Sequence, residues 1–152
     1  MQGSAQLPLI ALTTLALLFG APGSVVWAKG KLQVAVPPGS ASSVVAVKII
    51  KAHVKRKYVF VKLAIDNTSE HRVDVFRDLI ILQTPNGAKR GAKIAKKHQF
   101  VGPYSSKKLL GLKYYDVDLN SAGYSVLFSD GSVQLGGENV RVAPAQLAPE
   151  AE

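Results

Sequence analysis

The chain has 152 residues, with 19 Lys and Arg against 10 Asp and Glu, and its formal net charge is +9. This length suits one ordinary domain and is too short for two. The sequence has no cysteine, which excludes disulfide bonds, zinc–thiolate sites, thiol catalysis and a lipid-modified cysteine. The basic surplus favours anionic partners, but it also favours solubility, so charge alone does not choose between the two explanations.

The first predicted element is a cleavable signal peptide over residues 1–28. Leu7 to Phe19 is an almost unbroken apolar run, shorter than a membrane span requires. Val26 and Ala28 supply the small-residue pair that a signal peptidase recognises. We expect cleavage after Ala28, export to the periplasm or the cell exterior, and no membrane span in the mature chain. Because no Lys or Arg precedes the apolar run, a retained anchor and a buried apolar strand are the alternatives.

Two predicted strands follow the cleavage point. The first has large apolar residues at alternate positions from Leu32 to Val36, and the second, Val44 to Val54, is a longer β-branched run. The basic triplet Lys55-Arg56-Lys57 then interrupts the pattern. This segment is either the turn of a hairpin or a bulged, charged bend in one long strand, and the pattern leaves both open.

The strongest strand signal runs from Tyr58 to Asn67. Alternate residues of a strand share one face, so here one side is branched and apolar while the other is mixed. We interpret this segment as the central strand of a β-sandwich. Its apolar side comprises Val59, Val61, Leu63 and Ile65.

Asn86-Gly87 is the clearest turn signal in the next part of the chain. Both residue types tolerate the positive φ values of a tight primed turn. We therefore expect the strand Leu79 to Gln83 to fold back on a partner that starts near Ala88. Alternation weakens from Lys89 to Lys108, which predicts a long edge loop with at most one irregular strand.

Turn signals then recur about every ten residues, a spacing typical of an all-β sandwich. They separate short predicted strands at Tyr124 to Phe128, at Val133 to Leu135 and near Val140 to Val142. The last residues, 143–152, are rich in Ala and Pro and end in acids, which predicts a disordered tail. The folded domain is accordingly predicted to span residues 29–142.

Three stretches carry a resemblance to a known family. Tyr58 to Ser69 ends in Asn-Thr-Ser, Leu79 to Gly87 ends in a Gly turn, and Leu119 to Phe128 places a Gly-centred turn before an apolar strand. This order resembles the exported bacterial immunoglobulin-like domains, many of unknown function. The resemblance implies an immunoglobulin-like antiparallel β-sandwich with a binding or accessory role, and it implies no catalytic residues. The chain differs from the lipoprotein members because it has no cysteine.

No metal site or cofactor is predicted. Asp116, Asp118 and Asn120 have the alternate spacing of the first ligands in a calcium-binding loop. The rest of the loop does not match, because its glycine is displaced to Gly123 and Leu127 occupies the position of the bidentate glutamate. We interpret the alternation as the solvated face of a strand. The histidines lack the spacing of metal ligands; they are His53, His71 and His98.

No catalytic residue is predicted either. No serine lies in a Gly-x-Ser-x-Gly elbow, and nothing in the sequence brings Asp74 and Asp78 together in an apolar pocket. We expect a protein that is not an enzyme. A hydrolase or metal-dependent enzyme with an unrecognised site is kept as an alternative.

The most informative functional feature is a basic segment. No acid occurs between Asp78 and Asp116, and aromatic residues are interleaved with the lysines. Such a segment suits lipid head groups, envelope polymers or acidic proteins. Lysines that block edge-to-edge aggregation of strands are the competing explanation. The predicted contact residues are Lys89, Arg90, Lys93, Lys96, Lys97, Tyr104, Lys107 and Lys108.

The sequence therefore predicts a non-enzymatic exported domain whose basic loop contacts an anionic envelope component or an acidic partner. The first alternative is a structural subunit of an envelope assembly, joined through an unpaired edge strand at Val73 to Ile81. Nucleic acid is disfavoured because no recognition motif accompanies the pI of about 9.9. The oligomeric state is left open.

Overall fold

The computed structural model describes residues 30–150, which form fifteen β-strands, a 3-10 helix at Arg77–Leu79 and no α-helix. The all-β prediction is confirmed. The signal peptide predicted for residues 1–28 lies outside the described residues. The strands are β1 (Gly30–Val36), β2 (Gly39–Ser40), β3 (Val45–Val54), β4 (Tyr58–Asn67), β5 (Val73–Phe76), β6 (Ile80–Gln83), β7 (Lys89–Gly91), β8 (His98–Val101), β9 (Ser105–Lys108), β10 (Leu112–Tyr115), β11 (Tyr124–Phe128), β12 (Val133–Leu135), β13 (Glu138–Asn139), β14 (Val142–Ala143) and β15 (Ala145–Pro149).

Within residues 30–150, the strands form three antiparallel sheets. The largest has nine strands in the order β9-β4-β3-β1-β15-β11-β6-β7, with β10 also paired to β4. A four-stranded sheet has the order β13-β12-β5-β8, and β14 pairs with β2. Strands β9 and β10 lie end to end along β4, and Leu109 bridges them by donating its N–H to the Leu63 carbonyl oxygen at 2.8 Å.

The nine-stranded sheet curls until its two ends meet. Lys93, just after β7, donates its N–H to the carbonyl oxygen of Lys113 on β10 at 2.8 Å. The Nε of Arg90 donates to the carbonyl oxygen of Asp116 at 2.9 Å. Strands β7 and β10 belong to opposite ends of the strand order, so these contacts require a sheet whose outer face is convex.

Strand β4 lies second from one end of the strand order, with β3 on one side and β9 and β10 on the other, so the prediction that it is the central strand is wrong. Its branched side chains from Val59 to Ile65 and the final Asn67 are buried, and the side chains between them are half-buried. The basic triplet is the turn of a β3–β4 hairpin, where Lys55 donates its N–H to the Tyr58 carbonyl oxygen at 2.8 Å. The hairpin register shifts by a bulge between Ile49 and Lys51.

One apolar cluster joins the two larger sheets. Buried side chains of β4 and the neighbouring strands pack with Val73, Val75, Val101 and Val133 of the four-stranded sheet. Because both sheets contribute to the same core, residues 30–150 behave as one packed domain. Within those residues, no helix is both long enough and apolar enough to cross a membrane.

The basic segment from Lys89 to Lys108 contains three strands, so the prediction of a long loop with at most one irregular strand is wrong. Strands β7 and β9 are exposed at every residue, and β8 has only four residues. A short exposed strand pairs through its backbone and needs no apolar alternation. The periodicity that identified β4 therefore gives no signal here.

The predicted disordered tail is also corrected. Ala145–Pro149 is strand β15, which pairs with β1 on one side and β11 on the other. Ala145 and Leu147 are buried. The strand was not recognised in the sequence because Ala145 has a small side chain and prolines lie nearby, so the alternation of inward-facing residues is weak. The described domain thus extends through Glu150, whose N–H bonds to the Lys31 carbonyl oxygen at 3.0 Å.

The Asn86-Gly87 hairpin is confirmed between β6 and β7, but its turn differs from the predicted one. Gly87 has φ 92°, whereas Asn86 is not among the positive-φ residues. Thr84 donates its N–H to the Ala88 carbonyl oxygen at 3.0 Å. This closes a three-residue loop with its glycine in the left-handed region, the second common hairpin geometry.

Two further predictions are corrected by the structure, one by strand pairing and one by a turn. The stretch from Val73 to Ile81 is not an unpaired edge, because β5 pairs with β8 and β12 while β6 pairs with β7 and β11. The stretch from Asp116 to Asn120 is not a strand. Asp116 has φ 58° and Asp118 accepts a hydrogen bond from the Asn120 N–H at 2.9 Å, so this segment is a turn.

Candidate functional site

The pairing register gathers lysines on the outer face of the nine-stranded sheet. Directly paired antiparallel residues share a face, and the half-buried side of β4 points outward. This outer face, hereafter the lysine face, is defined by Lys31, Lys48, Lys51, His53, Lys62, Lys108 and Lys113.

The lysine face has three rows that cross the strands. In the first row, Phe60 of β4 is paired with His53 on one side and Lys113 on the other, and Lys31 of β1 is paired with His53. In the second row, Lys51 is paired with Lys62. Successive rows are two residues apart, which corresponds to about 7 Å along β4.

The third row is centred on Ala64, which is paired with Lys48 and Lys108. Asp66, one row further, forms an ion pair with Lys48 at 2.6 Å. Hydrogen bonds from Lys48 and Ser106 lower the pKa of the Asp66 carboxyl group. Two acids of residues 30–150 lie beside these rows: Asp66, and Glu150, whose N–H bonds to the carbonyl oxygen of Lys31 at 3.0 Å. Within the described residues, the second row, Lys51 with Lys62, has no acid registered beside it and presents uncompensated positive charge.

Aromatic rings lie between these cations. The Nζ of Lys113 lies 5.2 Å from the ring centroid of Tyr58, and the Nζ of Lys93 lies 5.6 Å from that of Tyr115. The two tyrosine rings are 5.2 Å apart and tilted by 45°. Cation–π contacts at exposed sites stabilise by about 0.5–1 kcal/mol each. The rings thus hold ammonium groups in place.

His53 is part of the same arrangement. Its ring stacks on Phe60, with centroids 4.8 Å apart and an interplanar angle of 10°. The Cε1–Cζ edge of the Phe60 ring approaches Gly111 so closely that a Cβ atom there would overlap it. Burial, followed by the charges of Lys55 and Lys51, lowers the pKa of His53. Its imidazole is consequently neutral at neutral pH in the free protein.

The predicted contact residues do not form one loop. Lys108 belongs to the lysine face, and Lys93 joins it through Tyr115. Lys107 and Tyr104 lie beside the four-stranded sheet. The Nζ of Lys107 is 5.3 Å from the Phe100 ring and bonds to the Phe100 carbonyl oxygen at 3.1 Å.

Tyr104 occupies the β8–β9 turn with φ 52° and is 72% exposed. Of the other predicted residues, Lys89 and Arg90 lie on β7 and remain exposed. Lys96 and Lys97 are exposed in the loop before β8. The predicted set is therefore distributed over several surfaces, and only part of it contributes to the lysine face.

Arg77 fixes the loop that carries Lys96 and Lys97. Its side chain is only 2% exposed, and burial lowers its pKa. The guanidinium donates to the carbonyl oxygen of Lys96 and, at 2.8 Å, to that of Gly111. Within residues 30–150 its Nε has no hydrogen-bond partner and no carboxylate pairs with it. Arg77 thus ties the loop to the β9–β10 junction.

A second polar cluster lies on the four-stranded sheet. Asp74 accepts from His98 at 2.6 Å and pairs with Arg72 at 3.0 Å. His98 stacks on Phe76 at 4.9 Å, and the Arg72 guanidinium lies 4.9 Å from the Phe100 ring. Within residues 30–150 no serine or threonine hydroxyl bonds to His98. The cluster therefore has a His–Asp pair without a nucleophile and carries opposite charges that offset one another.

Two open clefts lie away from these clusters. One of about 260 Å³ is lined by Ser42, Leu135 and Arg141 among others, and one of about 250 Å³ is lined by Pro85, Tyr124 and Gln146 among others. Neither cleft is lined by a histidine. In the described part of the chain, no group of three or more His, Asp or Glu side chains is arranged to hold a metal ion.

Several lysine-face residues were not among the predicted contacts: Lys31, Lys48, Lys51, Lys62 and Lys113. Their signal was present in part, because Lys62 occupies an outward position in the alternation of β4. The register that pairs Lys51 with it depends on the β3 bulge, which alternation alone did not locate.

No protein-family model, curated protein or solved structure matches the chain. The candidate site therefore depends on the geometry and charge of this chain. The resemblance to exported immunoglobulin-like domains stays a prediction.

Proposed function

We propose that this protein is a non-enzymatic binding domain that holds an extended polyanion on its lysine face. The observation that supports this most strongly is the register. It places Lys31, Lys51, Lys62 and Lys113 on one convex surface, and Asp66 is engaged by Lys48. Closely spaced charges of one sign attract an anionic partner over about a Debye length, roughly 8–10 Å at ordinary ionic strength.

The shape of the lysine face favours a chain-like ligand over a flat bilayer. A convex sheet meets a plane along a narrow strip, whereas a flexible chain can follow its curvature. The rows repeat about every 7 Å along β4, so a polymer with regularly spaced anionic groups can contact several rows together. Two large exposed hydrophobic residues lie near the second row, Ile50 in the β3 bulge and Leu110 between β9 and β10, and two such side chains provide little apolar surface for insertion into a membrane.

The aromatic rings support charge-based recognition. Tyr58 and Tyr115 already contact the ammonium groups of Lys113 and Lys93, and His53 stacks on the Phe60 ring. Proteins that bind nucleic-acid single strands use aromatic faces on which bases stack. With these faces occupied, the ligand is recognised mainly through its anions.

The cellular setting of this proposal depends on the signal peptide predicted for residues 1–28. If it is cleaved, the protein is exported, and the anionic polymers it meets are those of the cell envelope. An anionic lipid surface or an acidic protein is the competing partner of the same face. Export and the immunoglobulin-like class are predictions that accompany the proposal.

Binding of a linear sulfated polysaccharide, dextran sulfate, tests the proposed function directly. Neutral dextran and anionic and neutral lipid vesicles complete the set of probes. We expect dextran sulfate to bind more tightly than the vesicles and neutral dextran not to bind. The affinity should fall steadily as salt is raised, because bound anions replace released counterions.

Charge reversal gives the matched control. Replacing Lys51 and Lys62 by Glu should weaken binding of dextran sulfate by at least about tenfold, because it removes the central row. Replacing Lys89 and Lys97 by Glu changes the net charge equally but leaves the lysine face intact. Equal losses for the two double variants, or binding that does not depend on salt, would contradict the proposal.

A further inference from the structure

We propose that the lysine face takes up a proton at His53 when it binds a polyanion, so that binding strengthens as the pH falls. This inference rests on the proposed function and adds a form of regulation to the same surface. The inference follows from the position of the His53 imidazole among the lysines of this face.

His53 is in the first row of the lysine face, between positively charged neighbours on both sides. Its cross-strand partner on β1 is Lys31, and beyond the stacked Phe60 ring lies Lys113 of β10. In the part of the chain that the structure describes, no acid is registered beside His53, and Asp66 is three rows away on β4. The titratable and charged groups around the imidazole are Lys31, Lys51, Lys55, Tyr58, Lys62 and Lys113, and the acid Glu150 lies on the far side of Lys31.

These neighbours oppose protonation while the face is empty. Burial against Phe60 and the charges of Lys55 and Lys51 hold the pKa of His53 below its ordinary value of 6.5. An anionic chain over the first row reverses the electrostatic part of this effect, because a negative charge beside the ring favours imidazolium. The pKa in the complex is therefore higher than in the free protein.

The sign of the pH dependence follows from this difference. Above the pKa of the complex, His53 is neutral in both states and affinity does not vary with pH. As the pH falls through the interval between the two pKa values, the complex binds more protons than the free protein, so affinity rises. Below the free-protein pKa, both states are protonated and affinity levels off.

Dextran sulfate is a suitable probe because its sulfate esters stay ionised across this range. At constant salt, we expect the unmodified protein to bind it about three- to tenfold more tightly at about pH 5.5 than at about pH 8, since one pKa unit corresponds to tenfold. His53→Gln should abolish most of this dependence. His53→Lys should bind at pH 8 about as tightly as the unmodified protein binds at pH 5.5.

His71→Gln is the matched control, because His71 lies outside the lysine face and contacts Glu70 at 3.6 Å. It should retain the full pH dependence. Calorimetry in two buffers of different ionisation enthalpy should also detect proton uptake that His53→Gln lacks. If His53→Gln keeps the pH dependence, the proton-uptake inference is overturned while polyanion binding stands. If dextran sulfate binds at neither pH, the proposed function and this inference both fail.

Discussion

Lys107 and Lys108 are neighbours in the chain but lie on opposite sides of strand β9. Lys107 is registered with the buried Ile65, and its Nζ reaches the Phe100 ring of the other sheet. Lys108 is registered with Ala64 on the outward side of β4. The two residues carry the same charge, so substituting each in turn distinguishes an effect of position on the surface from an effect of net charge.

Lys108→Glu should weaken the binding of dextran sulfate by about threefold or more, because it places an anion in the third row of the lysine face. Lys107→Glu makes the same change in net charge on the far side of the strand, so its loss should stay within about twofold. Fluorescence anisotropy at a fixed salt concentration would measure both. An equal loss for the two variants would show that total charge, and not the lysine face, controls binding.

Gly111 leaves room for the edge of the Phe60 ring at the β9–β10 junction. A Cβ atom at this position would overlap Cε1 and Cζ of Phe60. Gly111→Ala should therefore displace the ring from His53 and lower the free energy of unfolding by about 1–3 kcal/mol. Urea denaturation would measure the loss. Adding Phe60→Leu should recover part of it, since the smaller side chain leaves room; strictly additive effects in the double variant would contradict the packing argument.

Arg77 is expected to be important for stability although it is charged and buried. Arg77→Met removes donors to the carbonyl oxygens of Lys96 and Gly111. Losing hydrogen bonds from a charged donor costs about 1.5–3 kcal/mol, a cost that relief of the buried charge partly offsets. We expect a net loss of about 1–2 kcal/mol in the free energy of unfolding. Faster amide hydrogen exchange around residues 92–97 should accompany it, whereas the exposed Arg56→Met should change neither.

The sequence identified the parts of the fold in which one side of a strand is buried. Strand β4 was predicted correctly because Val59 to Ile65 alternates between core and surface. Strands β7 and β9 were missed because every residue in them is exposed, and backbone pairing leaves no periodic trace in the side chains. The same reasoning explains why the all-β class was evident while the order of strands was not.

The candidate site was predicted only in part, for a related reason. The basic character of the surface follows from composition, but the rows of the lysine face depend on which residues lie opposite one another. Lys51 meets Lys62 across a bulge, and Lys31 meets His53 across a strand contact that is distant in sequence. The density of lysines along the sequence predicted a binding site in the Lys89 to Lys108 segment. In the folded protein, the arrangement of lysines across the sheet places the candidate site on β3, β4 and β10.

The pairing and burial of strand β15 predict that residues near the end of the chain contribute to the stability of the fold. Leu147 is buried between β1 and β11, whereas its neighbour Gln146 is exposed. Leu147→Ala should lower the free energy of unfolding by about 2–4 kcal/mol through lost apolar burial and a cavity. Gln146→Ala should cost less than about 1 kcal/mol. If both variants were as stable as the unmodified protein, β15 would not be part of the cooperative fold.

Alkaline pH should destabilise the fold through its buried tyrosines. Burial raises the pKa of Tyr124 from 10.0 to about 12 and also raises that of Tyr114. Above pH 10 the unfolded chain loses protons that the folded protein retains. The stabilisation is therefore complete below pH 10 and declines as the pH rises towards the folded-state pKa.

For Tyr124 this loss should reach on the order of 2 kcal/mol near pH 12. Tyr124→Phe also loses the hydrogen bond to the Asp118 carbonyl oxygen, so it should be less stable than the unmodified protein at pH 9. Its stability should nevertheless fall less steeply between pH 9 and pH 12, because one buried phenol no longer titrates. Urea denaturation across this range would measure the slope. Tyr104→Phe is the control, since Tyr104 is exposed, and an equal change of slope in both variants would contradict the assignment.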